Sequence, residues 1–521
     1  MVVVVAATAA VRLAATPRLA AATATKPGRD DAVSAGRGFL LIAGAKAWFM
    51  VTSAVVSLGL PRMLGDPALF GDFKVVYSLV SVLNMVLIIG TIQTLSKLVS
   101  ESPGSARALR RMAVRLQLCV GITLAVVVGV FAEDITGFVF NDAGLGKYLR
   151  VGVLVSAIYA VYGIFVGTLN GLERFGDQAR LDVVFSTLKV ILVAGLVLAG
   201  FGVIGAFMGF VGAATAALLT GVYLVSRAAP PESGEPPSMD RFVRLLLPLL
   251  ATTFMTNMVL QLDVLAVKAL VRGVDSDSAS RLAGLFGGAK NVSLLPYQAT
   301  FALTLVVFPM LSRATFSEDR DKAKAYVRQA MRFTLLVAGA ACVPLVATAG
   351  PLLTILLGAP YAASSTALSI LVPTTVLTAM LVLSVTILNA AGNERTALVL
   401  TTATVATNAL LLWLLLDGVQ DERVLTRAAI ASAGAAGVGA ALAGFAVHRR
   451  LGALAPPGTV FRVFGVGGAI LLAAQFWPVT GLVSLVAKAV VCGLAFILAL
   501  LATGEVNQAD RAALKRILGR K

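Results

Sequence analysis

Long apolar runs separated by short polar segments dominate the pattern of hydrophobic and polar positions along the chain. Most runs are close to the ~20 residues that an α-helix needs to cross the hydrocarbon core of a bilayer. The pattern predicts fourteen membrane-spanning helices, numbered here as spans 1 to 14, at residues 38–60, 75–96, 116–132, 151–170, 181–199, 202–225, 245–267, 283–311, 333–349, 364–389, 397–416, 428–447, 459–477 and 480–502. Prolines within several runs are compatible with this prediction, because membrane helices tolerate proline where neighbouring groups satisfy the freed carbonyls.

Composition excludes most alternatives to an all-α integral membrane protein. Apolar residues make up 58% of the chain and charged residues only 13%, whereas soluble proteins have about 25% charged residues. A soluble enzyme, a disordered protein and a disulfide scaffold are therefore excluded. With one histidine and three scattered cysteines, we expect no metal site. The chain has no P-loop, HExxH or GxSxG motif, so we expect no cofactor and no enzymatic activity.

The distribution of lysine and arginine predicts the orientation. With the N-terminus placed in the cytoplasm, 30 of the 43 basic residues lie in the inside segments and 9 in the outside loops. This bias follows the positive-inside rule and predicts that both termini are cytoplasmic. The net charge of +17 is then a topology signal with anionic lipid as its neighbour, and we expect no nucleic-acid partner.

The two termini carry segments outside the predicted spans. Residues 1–36 lack a charged region before their apolar stretch, so we expect a flexible or weakly amphipathic cytoplasmic tail rather than a cleaved signal peptide. Residues 503–521 can form a short amphipathic helix on the inner leaflet, with Asp510 as a plausible N-cap.

An internal repeat predicts two lobes. The segment LFGDFKVVYSLV from Leu69 matches LFGGAKNVSLLP from Leu285, at an offset of 216 residues, and LNGLERFG from Leu169 matches LNAAGNERTA from Leu388. We therefore predict an N-lobe (37–226, spans 1–6), a C-lobe (227–448, spans 7–12) and an appendage of spans 13 and 14 (449–502). Because six spans is an even number, the two lobes are parallel and related by a pseudo-twofold axis along the membrane normal.

Lysines inside the predicted spans are candidates for binding an anionic ligand, because a charge near the bilayer centre is costly. Lys46 lies near the midplane of span 1. Lys290 begins a polar stripe in span 8 that continues through Ser293 and Tyr297. The alternative for Lys46 is an internal ion pair that serves packing. Lys290 lies about 10 Å from the outer surface, so its alternative is to extend its ammonium group to that surface. Lys189 in span 5 and Lys488 in span 14 are further intramembrane charges.

Span 7 carries polar residues on one helical face. Asn257 and Gln261 follow the spacing of one turn and are candidates for contact with a ligand. Asp263, near the outer end of this span, is a candidate site for a coupling ion or proton; the alternative is an ordinary interfacial acid.

Two inside loops carry charges at corresponding positions of the repeat. Glu173 and Arg174 lie after span 4, and Glu394 and Arg395 lie after span 10. These residues could latch a cytoplasmic gate, or they could form surface ion pairs with a structural role only.

Several segments, in order and spacing, resemble the multidrug/oligosaccharidyl-lipid/polysaccharide exporter superfamily, and specifically its fourteen-span oligosaccharide flippase branch. The matching segments are RMLGDPALFGDFKVVYSL, LNGLERFG, LAGLFGGAKNVSLLPYQ, VVFPMLSRA, LLTILLGAPYAASSTALSIL, ILNAAGNERTA and TGEVNQADRAALKRIL. The resemblance covers residues 37–518.

The resemblance implies a multi-pass protein of the bacterial inner membrane that flips polyprenyl-diphosphate-linked oligosaccharide for surface polysaccharides such as O-antigen, lipopolysaccharide or exopolysaccharide. It implies alternating access, a monomeric transport unit, and a possible coupling cation, H⁺ or Na⁺. In related flippases, cationic residues on the first and eighth spans line the central cavity, where Lys46 and Lys290 lie here. The alternative is a cation-coupled multidrug exporter, but such relatives usually have twelve spans and acidic cation sites.

Overall fold

The computed structural model describes residues 29–228, 238–271, 273–298, 300 and 320–505. Within these ranges the regular structure is helical. The α-helices are α1 Arg29–Leu64, α2 Pro67–Glu101, α3 Ala106–Val130, α4 Ala132–Phe140, α5 Gly146–Gly171, α6 Phe175–Leu196, α7 Gly202–Ala228, α8 Met239–Leu270, α9 Ser276–Ser293, α10 Arg320–Ala347, α11 Ala349–Leu357, α12 Ser365–Ala390, α13 Glu394–Leu416, α14 Arg423–Leu451, α15 Pro457–Ala474 and α16 Leu482–Ala502.

The described helices confirm an all-α, multi-pass membrane protein. Twelve helical stretches of the described residues are long and apolar enough to cross a membrane, and one of these, Phe175–Ala228, contains both α6 and α7. Predicted spans 1–7 and 9–14 each coincide with an α-helix, whereas span 8 (283–311) extends past the described residues. The total of fourteen spans therefore stays a prediction.

The helices are longer than the apolar runs that predict them. The predicted loop between spans 1 and 2, residues 61–74, is wrong in most of its length, because α1 ends at Leu64 and α2 begins at Pro67. Asp66 is the N-cap of α2, and its Oδ1 accepts a hydrogen bond from Ala68 N at 2.8 Å. Proline at the first helical position costs no hydrogen bond, because that N–H has no intrahelical partner. Hydropathy identifies only the part of a helix that lies in hydrocarbon, so it does not predict the polar residues at the helix ends as helical.

Spans 5 and 6 form a hairpin with almost no loop. A π-helical turn, Val197–Phe201, joins α6 to α7, and Gly200 and Gly202 take positive φ values of 91° and 55°. Glycine adopts such values without the steric cost that a Cβ imposes. The returning helix packs closely, because a Cβ on Gly209 would lie 2.6 Å from Val193 Cα.

Two short helices recur at corresponding positions of the repeat. The hydropathy pattern predicts loops there, but α4 follows α3 and α11 follows α10, and their first residues are 217 residues apart. A 3₁₀ turn follows each of them, Ala143–Leu145 and Ala359–Ser364. This spacing matches the offset of the sequence repeat and supports the duplication. The pseudo-twofold relation of the lobes stays a prediction.

The chain divides into two compact units. The N-terminal unit consists of Ala20–Gly287 with Leu416–Val424, and the C-terminal unit consists mainly of Gly288–Leu415 and Leu425–Lys521. The N-terminal unit includes α8, which packs on α2 where Gly90 faces Leu250. The predicted lobe limits, 37–226 and 227–448, follow the repeat rather than these contacts and stay a prediction.

In the C-terminal unit, the appendage helices α15 and α16 pack against α10. Gly339 of α10 faces Val463 and Phe496, where a Cβ would lie 2.9 Å from Val463 Cγ1. Glu505, just after α16, connects these helices at one end. Its carboxylate pairs with Arg332 of α10 and Arg462 of α15 at 2.8 and 2.7 Å.

Large apolar side chains are exposed along many of these helices, among them Ile122, Ile191, Trp413, Leu472 and Leu498. Exposed apolar area on this scale marks surface that contacts something other than water, and on helices of this length it is the face toward lipid. The predicted N-terminal tail lies mostly, and the predicted C-terminal helix almost wholly, outside the described residues.

Candidate functional site

A polar and aromatic ladder joins α1 to α6 in the N-terminal unit. Its rungs, from one end to the other, are Lys46 with Asp182, Phe49 with Phe185, and Ser53 with Lys189. The members of each rung are 136 residues apart, so the two helices run parallel and in register. On each helix the three positions are spaced by three and then four residues, which places them on one face.

The first rung is an ion pair of unequal partners. Lys46 Nζ lies 2.8 Å from Asp182 Oδ2, and the side chains are 35% and 6% exposed, respectively. Among the described residues, Asp182 is the one carboxylate within ion-pair distance of Lys46. The candidate cation of span 1 is therefore accessible, but it is paired internally.

The last rung holds a buried cation without a carboxylate. Lys189 is 5% exposed, and its Nζ donates a hydrogen bond to Ser53 Oγ at 2.7 Å. The same Nζ lies 4.6 Å from the ring centroid of Phe49 and 5.6 Å from that of Phe185. No carboxylate of the described residues lies within ion-pair distance of it. Cation–π contacts stabilise an ammonium group without neutralising it.

The ladder therefore has two ammonium groups and one carboxylate. With all three ionised, it carries an excess charge of +1 inside an apolar helical bundle. Buried charges require compensation, so this arrangement is suited to an anionic ligand. Sequence reasoning missed Asp182, although Lys46 and Ser53, like Asp182 and Lys189, are spaced by seven residues.

The predicted polar stripe of span 8 is present but partly engaged with its own backbone. Lys290 is buried near the end of α9. Ser293 Oγ donates to the carbonyl oxygen of Lys290 at 2.9 Å. Tyr297 is half-buried in the helical segment 295–298, and Thr300 Oγ1 donates to its carbonyl oxygen at 2.8 Å. Lys290 belongs to the C-terminal unit and Lys46 to the N-terminal unit, so a shared cavity stays a prediction.

The predicted polar residues of span 7 lie on α8 in the N-terminal unit. Asn257 is buried, and its Nδ2 donates to Thr253 O at 2.9 Å. Gln261 is half-buried. Asp263 is buried, and its Oδ1 accepts a hydrogen bond from Val264 N at 2.8 Å. Among the described residues, no three or more His, Cys, Asp or Glu side chains cluster as metal ligands would. Ion coupling at Asp263 stays a prediction.

The predicted gate residues lie in exposed positions of their respective units. In the turn before α6, Arg174 Nε lies 3.0 Å from Asp177 Oδ2 and Glu173 is exposed. Glu394 and Arg395 are exposed in the first turn of α13. The pair at Arg174 is local and on the surface, where ion pairs contribute little to stability. A cytoplasmic gate built from these four residues stays a prediction.

Sequence reasoning also missed a second polar cluster, the Lys268 network. Lys268, in the last turn of α8, has a fully buried side chain. Its Nζ donates to Asp142 Oδ2 at 2.8 Å, to Ser276 O at 2.9 Å and to Ser280 Oγ at 2.7 Å. Ser280 Oγ in turn donates to Asp72 Oδ1 at 2.5 Å. The network ties α8 and α9 to α2 and to the turn before α5.

The electrostatics of Asp142 follow from this network. Burial alone would raise the pKa of its carboxyl, but hydrogen bonds from Lys268 and Ser276 outweigh burial and hold that pKa below its usual range. Asp142 is therefore a stable anion that neutralises Lys268. Sequence reasoning counted Lys268 only as a basic residue of an outside loop, because no local pattern identifies a partner 126 residues away.

Glycines bring the two copies of the repeat together beside this network. A Cβ on Gly71 of α2 would lie 1.8 Å from Ser280 O, and a Cβ on Gly284 of α9 would lie 1.9 Å from Pro67 O. Gly287, the repeat counterpart of Gly71, faces the stem of Lys74. The start of α2 and the corresponding part of α9 are therefore in backbone contact.

The family profile described as "Polysaccharide biosynthesis protein" matches residues 60–366, which is more than half of the chain. No curated protein sequence matches the chain significantly.

Solved structures with the same fold include an inward-facing multidrug resistance MATE family transporter of the MOP superfamily, with 16% identity over 78% of this chain and 95% of that chain (TM-score 0.62). A MOP superfamily transporter from Pyrococcus furiosus, whose binding pocket is described as having reverse polarity, has 15% identity over 80% and 95% (TM-score 0.63). The lipid II flippase MurJ, in an inward closed conformation, has 17% identity over 90% and 100% (TM-score 0.58). Similarity at this level shows the fold.

Proposed function

Because the chain belongs to the polysaccharide biosynthesis protein family, we propose that it is a flippase for lipid-linked glycans. Its substrate would be a polyprenyl-diphosphate-linked oligosaccharide destined for surface polysaccharide, such as O-antigen, lipopolysaccharide or exopolysaccharide. The protein would move this lipid from the inner to the outer leaflet of the bacterial cytoplasmic membrane, with both of its own termini in the cytoplasm. It would act as a transporter rather than an enzyme.

The observation that carries this proposal is the excess cation of the α1–α6 ladder. A diphosphate headgroup offers several charge-assisted acceptors for ammonium groups, and Lys46 is both inside an apolar span and accessible. The polyprenyl tail needs no polar site, because it remains soluble in the bilayer. The fold shared with a lipid II flippase is consistent with such a substrate.

Transport would follow alternating access between two lobes. Lys46 and Lys290 would contact the headgroup in a central cavity, with Ser293, Tyr297, Asn257 and Gln261 as further polar groups of its lining. The residues Glu173, Arg174, Glu394 and Arg395 would close the cytoplasmic side. A coupling cation, H⁺ or Na⁺, at Asp263 is one possible drive; the transport unit would be a monomer.

The test is surface glycan in a strain that lacks the gene and is complemented with wild type, Lys46→Ala or Lys290→Ala. The matched control is Lys147→Ala, because Lys147 is exposed at the start of α5. We expect deletion to trap lipid-linked glycan inside, the control to restore display, and both test variants to fail at normal abundance. Normal display and normal precursor levels after deletion, without a redundant flippase, would show that the proposal is wrong.

A cation-coupled multidrug exporter is the second candidate, because Asp263 is a buried carboxylate in an apolar span and MATE transporters share the fold. The same strain decides between the two. Altered resistance to cationic drugs, with unchanged surface glycan, would favour the exporter.

A further inference from the structure

The Lys46–Asp182 pair combines one partner that can move with one that is fixed. Lys46 has a flexible four-carbon stem and is about one-third exposed, whereas Asp182 has a short side chain and is almost completely buried. Asp182 also lies on α6, which packs against α7 through Gly209. If the pair opens, the lysine is therefore the side chain that leaves.

We propose that Asp182 is a positioning residue of the headgroup site: it is the counter-ion of Lys46 until a diphosphate binds Lys46 in its place. This inference rests on the proposed flippase function and concerns how that same site is regulated. While no headgroup is bound, the Asp182 carboxylate forms an ion pair with the Lys46 ammonium group. A diphosphate has more charge and more acceptor oxygens than a carboxylate, so it replaces Asp182 as the ion-pair partner of Lys46.

The exchange avoids an uncompensated charge on Lys46. Removing one partner of an ion pair in a low-dielectric region is costly, because the remaining charge has lost both water and its counter-ion. Here Lys46 passes from one anion to another. After the headgroup leaves, Asp182 takes the lysine back, so the empty transporter returns without an unpaired cation on α1.

Lys189 supplies the attraction that Asp182 does not cancel. It lies two helical turns, about 10 Å, beyond Asp182 on α6, and its contacts are a hydroxyl and two aromatic rings. With Lys46 neutralised by Asp182, the excess positive charge of the ladder resides at Lys189. This charge favours entry of an anion while Asp182 sets how tightly that anion is held.

A purely structural pair makes a different prediction. If the pair only fastens α1 to α6, removal of the Asp182 charge weakens the protein and leaves headgroup affinity unchanged or lower. If Asp182 competes with the headgroup, the same change raises affinity. Binding therefore moves in opposite directions in the two cases.

The experiment uses the full chain in nanodiscs of zwitterionic phosphatidylcholine, titrated with a polyprenyl diphosphate or with the neutral polyprenol. For Asp182→Asn, we expect about three- to tenfold tighter binding of the diphosphate, no change for the polyprenol, and slower turnover in a flipping assay because release is slower. The matched control is Asp421→Asn, since Asp421 is exposed and Arg423 is its ion-pair partner among the described residues; it should bind as wild type does.

Two outcomes separate this inference from the proposed function. If wild type binds diphosphate and polyprenol alike, the flippase proposal itself is wrong. If wild type prefers the diphosphate but Asp182→Asn binds it no more tightly, the counter-ion role is wrong and the flippase proposal stands. Asp182→Glu, which restores the charge, should return the affinity toward that of wild type.

A second measurement applies if Asp182→Asn accumulates poorly. A ligand that binds the folded state raises the melting temperature, and the variant leaves Lys46 without its internal anion. Polyprenyl diphosphate should therefore raise the melting temperature of Asp182→Asn more than that of wild type. An equal or smaller rise would overturn the counter-ion role.

Discussion

Two lysines of the N-terminal unit, Lys268 and Lys46, meet carboxylates in opposite ways. Lys268 is fully buried and donates to a carboxylate, a carbonyl and serine hydroxyls. Lys46 is one-third exposed and is paired with one carboxylate among the described residues. The first lysine has its hydrogen-bonding capacity filled by the protein, whereas the second has capacity left.

This difference separates a structural cation from one that can bind a ligand. An ammonium group has three donors, and the network around Lys268 uses them all. Opening that network would leave Asp142 and Lys268 without their partners at once, which is costly. Opening the Lys46 pair strands one carboxylate, Asp182, but the lysine itself is already about one-third exposed and can keep contact with water. Residue type and membrane depth alone do not distinguish the two.

The strongest test of the comparison is Lys268→Met. The substitution keeps the volume but leaves Asp142 without its cation, and breaking a buried pair in this way costs about 3–5 kcal/mol. We expect a large loss of thermal stability in detergent, measured as the melting temperature. Lys147→Met, at an exposed site, is the control. A loss no larger than that of the control would mean that Lys268 is not the centre of a stabilising network.

The next test is Gly71→Ala, which acts on the helix contact beside the network. A Cβ at this position would lie 1.8 Å from Ser280 O, so α2 and α9 must separate, and overpacking of this kind costs about 1–3 kcal/mol. Gly195→Ala on α6 is the control, because nothing lies within 4 Å of its added Cβ. Equal melting temperatures for the two variants would show that α2 and α9 do not need their close approach.

Lys46→Met should impair function more than stability, in contrast to Lys268→Met. Lys46 is about one-third exposed, but the substitution leaves the buried Asp182 without its cation. We therefore expect a loss of stability of about 1–3 kcal/mol, smaller than that of Lys268→Met. Surface glycan display should nevertheless be lost in the complementation assay. A variant that loses as much thermal stability as Lys268→Met would instead class Lys46 with Lys268, as a structural cation.

The smallest expected effect is that of pH. The pKa values of Asp142 and Glu505 lie below their usual ranges, because hydrogen bonds from Lys268 and Ser276, and from Thr459, Arg332 and Arg462, outweigh burial. Groups with a lowered folded-state pKa contribute stability above the pKa of the unfolded chain and lose it as pH falls through the folded-state pKa.

We therefore expect the melting temperature to be constant near neutral pH and to fall on acidification below about pH 4. In Lys268→Met, the contribution of Asp142 to this fall should disappear. A variant with the same acid dependence as wild type would remove Asp142 from the explanation.

Sequence reasoning predicted the helical elements of the described part better than their ends. It found α6 and α7 as separate helices across a single turn, because Gly200 and Gly202 interrupt an otherwise apolar run. It missed α4 and α11, because short helices with apolar residues resemble the ends of the spans that they follow. Hydropathy measures transfer to lipid, whereas helix ends depend on caps such as Asp66.

For the candidate site, sequence reasoning singled out Lys46 as an intramembrane charge and left open whether it was paired. The structure supplies Asp182 as that partner. Lys290 and Asp263 are buried as expected of intramembrane charges, while their roles stay predictions. The sequence also shows that Asp182 and Lys189 are seven residues apart and therefore lie on one face of α6. This spacing does not identify α1 as the helix that packs against that face.

The sequence by itself determined that this is a multi-pass helical membrane protein with an internal repeat and a bias of basic residues to alternate connecting segments. These properties depend on local composition and on comparison of the chain with itself. Only the tertiary structure decided which charges are compensated, because the carboxylates that hold Lys46 and Lys268 are more than a hundred residues away in sequence. Such pairs form when helices pack in one register, and that register depends on contacts such as those of Gly71 and Phe49 rather than on the hydropathy of any single span.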